Sequence, residues 1–176
     1  MSNYAPQSVL DAVYSGNSWG TIGQPINLTF WFLTSVQSYD SVPRPGFDAL
    51  NASQQAAVNA AFSSLSAVAN ITFSLATSAN DAQLAFGRYD IPNDPVTGLP
   101  LGGEAFQPGQ TGTANDGDIW LNSASFMDSP VFGDYAYSTI LHEIGHAVGL
   151  QHPFGTPSRQ AANVRPSPSS IWSRGR

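Results

Sequence analysis

The sequence contains no cysteine and no lysine. Without cysteine there is no disulfide framework, no thiolate metal site and no cysteine nucleophile. Without lysine the cations reduce to 6 Arg, set against 12 acidic residues for a net charge of -6. Nucleic-acid binding needs cations to neutralise phosphates, so no nucleic-acid partner is expected. Long apolar runs are also missing. The longest, residues 30–33, is four residues, against about 20 for a membrane-spanning helix. No membrane partner is expected. No basic residue precedes Arg44 and no apolar stretch of signal-peptide length stands before it, so an N-terminal export signal of the ordinary kind is not expected. What remains is 176 residues, 41% of them hydrophobic. That suits one domain and a monomer, with roughly two-thirds of the unfolded surface buried.

The charge divides the chain. Residues 1–152 hold 2 Arg and all 12 acids, whereas residues 153–176 hold 4 Arg and no acid. The second segment also carries Pro153, Pro157, Pro166 and Pro168. The expected organisation is a folded body over 1–152 and an Arg/Pro/Ser-rich, disordered tail over 153–176. The body reads as α+β. Ile26, Leu28, Phe30 and Phe32 alternate with Asn27, Thr29 and Trp31, which is strand periodicity. Ser53 is the expected cap of a helix reaching about Ala69, with Val58, Phe62, Leu65 and Val68 as its apolar face. Short strands are expected over 71–75, 83–87, 104–107 and 118–122. Proline and glycine make 90–103 a loop, and a second helix is expected over 135–148.

The chain has three histidines, and all lie in the stretch His142-Glu143-Ile144-Gly145-His146-Ala147-Val148-Gly149-Leu150-Gln151-His152. On a helix, His146 sits about 40° from His142, so both rings share a face, while Ile140, Ile144 and Val148 point the other way. Glu143 falls on the flank. Gly149 can take a positive φ and stop the helix, which lets His152 return toward the other two rings. Three neutral imidazoles leave one position of a tetrahedral zinc open. Such a site lowers the pKa of bound water toward about 7, and Glu143 is the nearest base for that water. The implied reaction is attack of the activated water on a peptide carbonyl.

The pattern H-E-x-x-H-x-x-G-x-x-H is the metzincin zinc signature, and HEIGHAVGLQHP resembles the serralysin-type branch of the secreted bacterial metalloproteases. Residues 10–20, 26–34, 54–73, 102–108 and 117–122 are similar to that branch in kind and order. The resemblance implies an upper subdomain with a twisted mixed sheet of about five strands, two main helices, and the zinc helix at a cleft. It implies one Zn2+ held by His142, His146 and His152, Glu143 as general base, and zinc-dependent endopeptidase activity on extended protein substrates. It implies that Gly103, Glu104, Ala105, Phe106 and Gln107 bind the peptide by strand addition. It also implies an extracellular location reached without an N-terminal signal.

The family's full-length members bind Ca2+, but no clear calcium site is read here. Asn115, Asp116 and Asp118 fit a turn before a strand better than a metal site. The resemblance departs from the family after the motif. The only methionines, Met1 and Met127, precede it, and no Tyr follows Tyr137, so the Met-turn and the tyrosine beyond it are not matched. The alternative expectation is therefore a truncated, catalytically inactive zinc-binding fragment or peptide-binding module.

Overall fold

The computed structural model describes residues 12–153. The expected tail beyond Pro153 and Met1 lie outside the described residues. Alternation in the first strand appears as read: β1 runs over Ile26–Phe32, with Leu28 and Phe30 buried. Helix α1 follows at Ala52–Val68. Its cap is Asn51 rather than the expected Ser53. The Asn51 side chain accepts from the Gln54 N–H while the Gln54 side chain accepts from the Asn51 N–H, a reciprocal capping box. Gln54 also donates to the Met127 carbonyl at 3.0 Å, so this cap is fixed by tertiary contact as well as local geometry.

Three parallel pairings and one antiparallel pairing build the sheet. Strands β2 (Ile71–Leu75), β3 (Leu84–Tyr89), β4 (Gly103–Ala105) and β5 (Ile119–Asn122) join β1 in the order β2-β1-β3-β5-β4. Only β4 runs antiparallel, paired Gly103 with Leu121, Glu104 with Trp120 and Ala105 with Ile119. The expected mixed five-stranded sheet with two helices is thus observed, with β4 beginning one residue earlier and ending two earlier than read. Helix α2 occupies Tyr135–Ala147.

Both helices lie on one face. Val58, Ala61 and Phe62 of α1 and Ile140 and Ile144 of α2 bury against Leu28, Phe30, Phe86, Ile119 and Leu121. Phe62 stacks on Phe73 with centroids 3.9 Å apart, an aromatic contact that adds to the burial of apolar area. Val68 does not join the expected apolar face. It is 84% exposed, at the last helical position where the chain turns into β2. The opposite face is covered by loops, with Leu33, Tyr89, Ile91, Leu101 and Trp120 at its core. The Trp120 ring packs against Gly87, where a Cβ would meet it at 2.5 Å.

The turn before β5 is structural. The Asp116 carboxylate accepts from Thr111 N, Thr111 Oγ1 and Gly112 N, which supports the turn reading. Gly117 has φ +86° and sits against the Gln83 carbonyl, where no side chain fits. Asp118 is 2% exposed. Burial, with the nearby Asp40 charge second, pushes its pKa up to about 8. A carboxyl that binds its proton more tightly when folded contributes fully below its unfolded pKa near 4. That contribution is lost as pH rises through the folded value. Asp118→Asn is therefore expected to stabilise the chain increasingly from pH 4 to pH 8, by an order of several kcal/mol at the upper end. Urea melts across that range check this, and an unchanged difference between the two proteins at pH 4 and pH 8 would refute it.

Candidate metal centre

Helix α2 is anchored at both ends. Asp134 caps its start, accepting from Tyr137 N at 2.7 Å. Its end is a Schellman turn: Leu150 N donates to Gly145 O and Gly149 N to His146 O, both at 2.9 Å. Gly149 takes φ +109°, and a Cβ there would meet Asn17 O at 2.6 Å. The glycine is needed both for the left-handed backbone and for the close approach. The Ala147 carbonyl, one of the acceptors that a helix end leaves over, receives the Trp19 indole N–H at 2.8 Å.

Residues 13–19 strap this turn down. Ser15 N donates to Gly149 O at 3.0 Å, Gln151 N donates to Val13 O at 2.8 Å, and Tyr14 bridges to Leu150. The turn returns His152 to the face of α2 that carries His142 and His146. The three Nε2 atoms lie 3.0 Å from one another. Among the described residues this is the group that can hold a metal ion.

The protonation chemistry agrees. His146 Nδ1 lies 2.9 Å from the Leu150 carbonyl, which can only accept, so Nδ1 carries the hydrogen and Nε2 presents its lone pair. Burial pushes the pKa of His142 and His152 down to about 4, with the neighbouring imidazoles adding to the shift, and it lowers His146 as well. Three neutral rings converging within 3.0 Å suit one small divalent cation, with a coordination position to spare. The Leu150 carbonyl also accepts from Gln107 Nε2 at 2.9 Å, which ties the segment after β4 to the carbonyl that orients His146.

Glu143 is buried, and it faces β4. A Cβ on Gly103 would meet Glu143 Cγ at 2.9 Å, and one on Gly102 would meet Thr139 at 2.8 Å. The glycine pair lets α2 lie directly on the edge strand. Asn122 N donates to Gly102 O at 2.8 Å and Phe106 N donates to Asp118 O at 3.0 Å. Antiparallel ladders alternate, so the backbone groups of Gly103 and Ala105 point away from β5, at an edge of the sheet that no strand among the described residues covers.

Of the expected peptide-binding residues, Gly103, Glu104 and Ala105 form the strand. Phe106 continues the pairing one residue beyond it, and Gln107 turns toward Leu150. Tyr135, which the helical wheel places near the histidine face, packs on Phe126 with centroids 5.9 Å apart. The strap through Trp19, the Gly102–Thr139 contact and the Gln107–Leu150 hydrogen bond were not legible in the sequence.

Comparison with known proteins then places the sequence itself. The matrixin family model matches residues 34–164. The chain belongs to the matrixin peptidase family. It is 38% identical over 133 residues to the metallopeptidase AprA of Pseudomonas marginalis, covering 73% of this chain and 27% of the relative. It is 32% identical over 157 residues to Serralysin G of Dickeya chrysanthemi, covering 86% of this chain and 33% of that one. Serralysin A of the same organism is 36% identical over 174 residues, covering 90% and 34%. The serralysin-type metzincin resemblance holds, and the chain spans about a third or less of the length of these relatives.

Proposed function

We propose that the chain is a zinc-dependent endopeptidase of the serralysin type, with His142, His146 and His152 as metal ligands and Glu143 as general base. The observation that carries this reading is the convergence of three Nε2 atoms at 3.0 Å beside a buried Glu143 and the edge strand β4. Zinc bound there supplies Lewis acidity toward a carbonyl oxygen and an acidified water. The Gly103 and Ala105 backbone groups hold an extended peptide by strand addition, which aligns its carbonyls along the cleft. The Glu143 carboxylate takes the proton of the attacking water and hands it to the leaving amine. The packing of Glu143 against Gly103 sets its distance from a peptide paired at that residue. An extracellular setting belongs to the same reading and is supported by the serralysin-type resemblance.

The test is cleavage of an unfolded protein by the purified, zinc-loaded chain beside Glu143→Gln. Cleavage that falls about 10²- to 10⁴-fold in the variant, with zinc content retained, supports the reading. A folded, zinc-loaded chain that binds an extended peptide without cutting it would instead be a peptide-binding module. A chain that takes up no zinc overturns both.

A further inference from the structure

Arg44 and Arg88 are the two cations of residues 1–152. Arg88 pairs at the surface with Asp48 and Asp128. Arg44 is different: its side chain is fully buried, and it points at the edge strand. Its Nε donates to Asp40 Oδ2 at 2.8 Å and its Nη1 to Glu104 Oε1 at 2.5 Å. The guanidinium carbon lies 4.1 Å from the Trp120 ring centroid and 4.8 Å from that of Tyr89. Glu104 Oε1 also accepts from the Tyr89 hydroxyl at 3.0 Å.

Glu104 is the middle residue of the three-residue strand β4 and pairs with Trp120. Side chains alternate across a strand, so Glu104 points to the loop-covered face while Gly103 and Ala105 face α2. The base of Arg44 is itself fixed to the sheet: Asp90 N donates to Pro45 O at 2.8 Å, and Asp48 and Arg88 exchange backbone hydrogen bonds. An edge strand this short has little pairing of its own and long irregular segments on both sides. From one face it is backed by Thr139 and Glu143, and from the other it is held by a buried, charge-assisted bond.

We propose that Arg44 is the positioning residue of the peptide-pairing strand, holding β4 at its height and register against the metal-site helix through Glu104. This rests on the proteolytic reading of the cleft for its consequence but not for its geometry. Arg44 touches no substrate in this account. It acts through Glu104, and the loop 40–48 thereby becomes part of the apparatus that presents a peptide. Lysine cannot replace it, since a point charge on a flexible stem lacks the planar fork that reaches two carboxylates while stacked on Trp120.

The test compares Arg44→Lys and Glu104→Ala with the parent, each zinc-loaded. Glu104→Ala leaves the buried Arg44 charge paired with Asp40 while Nη1 and the Tyr89 hydroxyl lose a partner, so it is the milder of the two variants and guards against a simple folding failure. Native-state hydrogen exchange is read at Phe106 and Asn122, whose amides bond across β4–β5. Leu33 and Ala76, whose amides bond to Phe86 and Phe30, report the rest of the sheet. The expected result in both variants is exchange at least about tenfold faster at Phe106 and Asn122 alone. It should be accompanied by weaker binding of an extended peptide with a reduced central amide, at unchanged zinc content. Unchanged exchange at those two amides, or equal acceleration across all four, overturns the proposal. A parent that binds no peptide would sink the proteolytic reading separately, and the exchange result would still decide the clamp.

Discussion

On the proposed reading, Gly103→Val is expected to abolish most proteolysis while leaving the histidine triad intact. The substituted Cβ would stand 2.9 Å from Glu143 Cγ, 3.0 Å from the Trp120 carbonyl and 3.4 Å from Thr139 Cγ2. Two of these neighbours belong to α2 and one is the backbone of β5, so the crowding has no easy outlet. Overpacking of this kind costs about 1–3 kcal/mol, which the domain can survive. The expected kinetic effect is larger, because relief of the clash must shift either Glu143, the proposed general base, or the strand proposed to pair with substrate. Misplacement by about 1 Å costs on the order of a hundredfold. The expectation is a fall of at least about 10² in kcat/KM with stoichiometric zinc. A variant that cleaves at the parental rate would show that β4 does not set the position of Glu143. Gly103→Ala should give a smaller loss in the same direction.

Gly149→Ala is expected to act on the metal site itself. The backbone at φ +109° strains any side chain, and the new Cβ would meet the Asn17 carbonyl at 2.6 Å. A left-handed residue other than glycine costs about 1–2 kcal/mol, and the clash with the strap adds about 1–3 kcal/mol. The turn between His146 and His152 is the segment that would give way, moving the third imidazole out of the 3.0 Å triangle. A cost near 3 kcal/mol corresponds to roughly a hundredfold weaker zinc binding at one step per 1.4 kcal/mol. Competition against a chelator measures this directly. Parental affinity would mean that the turn relaxes without moving His152. The two substitutions are thus expected to fail differently, one in turnover with the metal retained and one in metal retention.

The convergence of the three histidines was legible because its information is local. His142 and His146 meet by the helical repeat alone, and Gly149 marks the place where the helix stops. The strands were legible for the same reason: 26–32 alternates, and 71–75 is a β-branched and aromatic run. The cap of α1 was misplaced by two residues because Asn51 and Ser53 are both good caps in isolation. The choice between them follows from Gln54, which completes the capping box and reaches the Met127 carbonyl. Val68 was assigned to the core because periodicity does not reveal where a helix overhangs its sheet.

Other features depend on residues far apart in the chain. Trp19 satisfies the Ala147 carbonyl across 128 positions, and Arg44 reaches Glu104 across 60. No pattern in the sequence links these pairs, since a hydrogen-bond partner at that separation is chosen only when the sheet order brings two loops together. The sequence by itself therefore determined the residue types of the histidine triad, the helix that spaces two of them and the glycine that returns the third. Those are consequences of backbone geometry within eleven residues. The tertiary structure alone decided which face of α2 meets the edge strand, why residues 102 and 103 must be glycine, and what holds Glu104. Those depend on close packing between elements that the sequence lists separately.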